Sequence, residues 1–182
     1  MEWRDAEPAE AETLRRLVRR FMPLEAEAQV RLRTLSFFRA GDLVQVGRAD
    51  SFCHFVRTRQ GSLLPLSGRC EDIWRCIDAC GLSLDRDTVA SYTAFYCHFL
   101  EVDGSDLMLL KAMPEGFRLE RPLNPDRIAP QVAQRRHHTG AYRLLAHARY
   151  RDRVYRCSFR IHRQGHVEMV RDKDLGPLFR LQ

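Results

Sequence analysis

Hydrophobic positions along this chain change period near Ala141, and the change divides the predicted elements. In the N-terminal part, Leu14, Leu17, Val18 and Phe21 recur at helical spacing behind Pro8. Glu7, Glu10 and Glu12 come early and Arg15, Arg16, Arg19 and Arg20 late, which predicts a first helix ending before Pro23. A second helix is expected from Leu24 to about Phe38, stopped by Gly41. The short β-branched and aromatic runs LVQV (43–46) and FCHFVRT (52–58), separated by Gly47 and Asp50, then read as two strands.

Residues 71–81, EDIWRCIDACG, carry acids in a first turn and a glycine stop, with Ile73, Trp74 and Ile77 on the buried side, and predict a short helix. A longer helix starts at Asp85 or Asp87 and runs to Gly104. Apolar and aromatic residues surround most of its circumference, so it is expected in the core. DLMLLK (106–111) reads as a strand, residues 112–124 as a Pro- and Gly-punctuated connection, and Asn124 to about His138 as a helix interrupted by Pro130.

From Ala141 the period is two, and a period of two fixes which residues share a face. A two-residue turn at Arg151-Asp152 sets Tyr155, Cys157 and Phe159 opposite Ala148, Ala146 and Leu144. A three-residue loop, Arg163-Gln164-Gly165, pairs Ile161 with Val167, Phe159 with Met169 and Arg160 with Glu168. One face is then apolar. The other carries Arg143, His147, Arg149, Arg156, Ser158, Arg160, His162, His166 and Glu168, with Leu145 and Val154 as its apolar members. A polar face is what an antiparallel sheet covered on one side requires, but solvated faces ordinarily mix signs, and here Glu168 is the lone acid. The expectation is an α+β domain spanning residues 1–182. Its antiparallel sheet ends in a three-stranded C-terminal meander, with helices packed on the apolar face.

Charge sharpens that picture only in part. The net charge of +6 comes from arginine, since Lys111 and Lys173 are the only lysines among 30 cationic side chains. An acidic partner is therefore favoured in general terms. Nucleic acid remains a candidate, although Tyr150, Tyr155 and Phe159 point away from the basic face and leave it no platform for base stacking. The acidic start MEWRDAEPAEAE lacks an apolar signal region, and no run is long enough to span a membrane as a helix, so a cytoplasmic location with thiols reduced is expected.

Candidate chemistry is sparse. Cys76 and Cys80 share a helix face with Cys70 just before it, but the spacing is not that of a zinc knuckle, and core thiols are the simpler reading. The neighbours Cys53-His54 and Cys97-His98 point in different directions, so neither is a nucleophile with its own base. His137-His138 follow Arg135-Arg136 at the end of a predicted helix, where cations complement the dipole. No phosphate loop, dinucleotide fingerprint, HExxH, GxSxG or EF-hand loop occurs. The expected function is a non-enzymatic interaction domain without metal or cofactor. It binds an acidic protein, or a second copy of itself, through Arg143, His147, Arg149, Arg156, Arg160, His162 and His166. The alternative is a small hydrolase or transferase with a pocket between the aromatic helix (Tyr92, Tyr96, His98) and the sheet, where Arg143 or Arg156 holds an anionic substrate.

Overall fold

The computed structural model describes residues 3–48, 51–101, 103–132 and 141–180. Among them are three α-helices and eleven strands in two antiparallel sheets, an α+β fold. The chain divides into two compact units, residues 1–83 and 84–182.

The first unit holds β1 (Arg4–Asp5), α1 (Pro8–Val18), β2 (Gln29–Thr34), β3 (Gly41–Arg48), β4 (Ser51–Thr58), β5 (Leu63–Pro65) and α2 (Cys70–Cys80). Its strands pair in chain order, β1-β2-β3-β4-β5. The helix expected over residues 24–38 is replaced by β2. Val30 and Leu32 are buried while Arg31 and Arg33 alternate with them, so a period of two outcompetes helix propensity once α1 supplies an apolar cover. That cover is Ala11, Leu14 and Val18, packed against Val30, Leu32, Val44, Val46 and Phe55. Gly47 is required where β3 enters its hairpin with β4, because a Cβ there would stand 2.1 Å from the carbonyl oxygen of Ser51.

The second unit holds α3 (Val89–Phe99), β6 (Leu107–Leu109), β7 (Phe117–Leu119), a 3-10 turn at Pro125–Arg127, β8 (Gln131–Val132), β9 (Tyr142–Tyr150), β10 (Arg153–Ile161) and β11 (Val167–Arg180). The sheet order is β6-β9-β10-β11-β7, with β8 also on the β9 edge. The helix expected from Asn124 is absent through Val132. Asn124 caps a single 3-10 turn by accepting from the Asp126 backbone N–H at 3.0 Å, and the chain has turned extended by Gln131, just past Pro130. The part of that expectation beyond Val132, with His137 and His138, lies outside the described residues.

Both hairpin registers of the meander are those read from the alternation. Tyr155, Cys157 and Phe159 oppose Ala148, Ala146 and Leu144, and Ile161, Arg160 and Phe159 oppose Val167, Glu168 and Met169. Gly165 takes the left-handed conformation at φ +98° that the three-residue loop demands, and the His162 N–H donates to the His166 carbonyl at 2.9 Å. The buried apolar face, with Leu144, Ala146, Ala148, Cys157, Phe159 and Ile161, receives α3. The Tyr92 hydroxyl donates to the Gly165 carbonyl at 2.5 Å, and Cys97 of α3 is buried like Cys157 of the sheet.

Candidate anion-binding surface

Two irregularities in the β10–β11 ladder decide what the opposite face carries. Phe159 opposes Met169 but Ser158 opposes Arg171, leaving Val170 as an extra residue; the second shift lies between Val154 and Tyr155. Beyond the first bulge β11 runs Arg171, Asp172, Lys173, Asp174, and its alternation sorts charge by face. Lys173 stands opposite Arg156 and Arg171 opposite Ser158, whereas Asp172 and Asp174 stand opposite Cys157 and Tyr155 on the other side.

The basic face is therefore built in rows across β9, β10 and β11. One row is Arg143, Arg160 and Glu168, the next Leu145, Ser158 and Arg171, the third His147, Arg156 and Lys173. Neighbours within a row are about 5 Å apart at Cβ and successive same-face positions along a strand about 7 Å apart. Glu168 accepts from Arg160 at 3.0 Å. Among the described residues, no ion pair reaches Arg143, Arg149, Arg156, Arg171 or Lys173. Like charges crowded on a protein surface repel unless solvent, salt or an acidic group screens them.

The residues singled out from the sequence are not all equivalent here. Arg143 and Arg156 are exposed, His147 and Arg160 half-buried. Arg149 sits opposite Val154 and Met108, at the end of the face that the connection from β6 to β8 covers: Leu110, Leu119 and Ile128 close over the fully buried Val154. His162 and His166 lie at the far hairpin with ring centroids 5.5 Å apart, and are not in the row with Arg156.

The same connection creates a cleft of about 460 Å³ against the sheet. Leu123, Asn124, Arg127 and Gln131 form one wall; Leu145, His147 and Arg156 form the floor, and no carboxylate is among the described residues that line it. His147 Nδ1 is 3.3 Å from the Ile128 carbonyl, which can only accept, so Nδ1 carries the hydrogen and Nε2 is left for another partner. Asn124 uses its Oδ1 in the cap and keeps its NH₂ as a donor. Arg127, Arg171 and Lys173 carry no sequence signal of this role: the first depends on how a connection folds back, the others on a bulge.

The residues named for a pocket between α3 and the sheet do not share one face. Tyr92 and Tyr96 are buried, Arg143 and Arg156 lie on the opposite face from α3, and His98 sits exposed beside Asp106 with Nδ1 to Oδ2 at 2.8 Å. Burial pushes the thiols of Cys76, Cys97 and Cys157 up to about 12, so they stay protonated and unreactive near neutral pH. Cys70 accepts from the Trp74 indole at 3.1 Å, and among the described residues no group of three or more His, Cys, Asp or Glu side chains is arranged to hold a metal. No described helix is long and apolar enough to cross a membrane.

Fold and surface together define an α+β protein with a sheet face on which cations outnumber the one described acid, Glu168. No family model, curated protein or solved structure matches the chain.

Proposed function

We propose that the protein is a non-catalytic binding domain whose basic face on β9, β10 and β11 receives an acidic segment of another protein. The observation that carries this reading is Arg156 opposite Lys173, beside Arg143 and Arg171, cations that no described acid compensates. A second copy is the less favourable partner, because a two-fold contact through this face brings cations against the same cations. Nucleic acid is disfavoured by the orientation of the aromatic side chains: Tyr155 and Phe159 share the face of Cys157, so bases have no stacking platform on the rows.

The test is a salt series by fluorescence anisotropy with a labelled poly-glutamate peptide and with single-stranded and duplex oligonucleotides. The peptide is expected to bind with an affinity that falls with salt and drops at least about tenfold in Arg156→Glu/Lys173→Glu, with the melting temperature unchanged. Arg160→Glu alone is expected to do less, since Glu168 already occupies that guanidinium. Equal binding by the double variant and the parent would sink the proposal, and oligonucleotide binding that exceeds peptide binding would replace it with nucleic-acid recognition.

A further inference from the structure

The cleft beside the basic face has a chemistry of its own. Arg127 from the 3-10 turn and Arg156 from β10 both line it, Lys173 stands opposite Arg156 on the same face, and neither arginine has an ion-pair partner among the described residues. One carboxylate would leave positive charge uncompensated at this spot, whereas a dianion matches the two guanidinium groups. Neutral donors line it as well: the side-chain amide groups of Asn124 and Gln131. Guanidinium forks and amide N–H groups are the donors that the terminal oxygens of a phosphate accept from. The remaining lining is apolar, with Leu123 and Leu175 half-buried and Leu145 41% exposed on an otherwise charged face. A volume of about 460 Å³ falls in the range of small-ligand sites.

Resting on the reading of this face as an anion surface, we infer that the cleft binds a phosphomonoester dianion whose ester group is apolar or aromatic. Arg127 and Arg156 hold the phosphate, Asn124 and Gln131 donate to its remaining oxygens, and the ester group lies against Leu123, Leu145 and Leu175. The phosphate can belong to a free small molecule or to a phosphorylated side chain of the acidic partner; the chemistry of the cleft is the same for both.

Titration of the full chain with phenyl phosphate and with phenyl sulfate, followed by calorimetry and amide chemical shifts, tests this directly. The two probes have the same shape but differ by one charge at pH 7.5, a phosphate monoester being mostly dianionic there. Phenyl phosphate is expected to bind at least about tenfold more tightly than the sulfate, and Arg127→Ala and Arg156→Ala are each expected to weaken it about tenfold. Arg127→Lys, which keeps the charge but loses the fork, is expected to restore part of that loss. Equal affinities for the two esters, no saturable binding at millimolar concentration, or binding unchanged in Arg127→Ala/Arg156→Ala would overturn the inference. A phosphotyrosine placed in an acidic peptide separates the two sources. A gain over phenyl phosphate that Lys173→Glu removes assigns the phosphate to a protein side chain, and no gain assigns it to a small molecule. Because Arg127 lies off the sheet rows, Arg127→Ala should leave poly-glutamate binding intact. Loss of phosphate binding with retained peptide binding, or the reverse, thus shows which of the two readings has failed.

Discussion

Glu10 and Arg57 show how this chain treats a charge it means to neutralise. Glu10 accepts from Arg4 at 2.9 Å and from Arg57 at 2.6 Å, and Arg57 also donates to Asp42 at 2.6 Å. The hydrogen bond from Arg4, with Arg57 adding to it against the cost of burial, holds the Glu10 carboxyl down at about 2 against an ordinary value of 4.5. A depressed carboxylate stabilises the fold above its unfolded-state value and loses that contribution as pH falls through the folded-state value. Stability from Glu10 is therefore expected to disappear between about pH 4.5 and 2. Denaturant unfolding of the parent and of Glu10→Gln across that window checks it: the parent should lose on the order of 1–2 kcal/mol more than the variant. Identical pH profiles would mean that the Arg4–Glu10–Arg57–Asp42 cluster contributes nothing net. Against this standard the cations of the β9–β11 rows differ in kind, since Arg156 and Lys173 face each other with no described acid between them.

At the scale of one element, β11 depends on a single extra residue. Continued without the bulge, the hairpin register would set Asp172 opposite Arg156 and hide the excess charge in a cross-strand pair. With Val170 left over, Lys173 takes that position instead. A one-residue deletion inside a strand normally turns every later side chain to the other face. Deleting Val170 is expected to be the exception, because Arg171 would then follow Met169 in a regular ladder and remain opposite Ser158. The deletion variant should fold and bind the acidic peptide within about threefold of the parent, whereas deletion of Asp172 should reverse the faces of Lys173 and Asp174 and lose binding. A folded Val170 deletion that no longer binds would show that the bulge does something other than set the phase.

For the molecule as a whole, the basic face, the cleft, α3 and the apolar sheet face all fall within residues 84–182, and the Glu10 cluster within residues 1–83. Each unit has a sheet of its own, with α1 covering the first and α3 the second. Residues 84–182 expressed alone are expected to give a dispersed amide spectrum and the same shifts with phenyl phosphate as the full chain. A fragment that stays unfolded would make the chain one cooperative domain, as the unbroken sequence pattern predicts.

Where the hydrophobic period was strict, the sequence by itself determined the outcome. Tyr155, Cys157 and Phe159 had one arrangement that kept apolar residues together, and Gly165 was the one residue of its loop suited to a left-handed turn, so faces and registers followed. Residues 24–38 and 124–132 depart from the helices that their sequence predicts because helix and strand compete there on weak local preferences. The cover that α1 gives to Val30 and Leu32, and the turn capped by Asn124 ahead of Pro130, decide the contest. The candidate site was half legible for the same reason. Arg143, His147 and Arg156 follow from alternation, a local property. Lys173, Arg171 and Arg127 join them through a bulge and a connection folded back over Val154, and those depend on contacts between distant residues that no local pattern records.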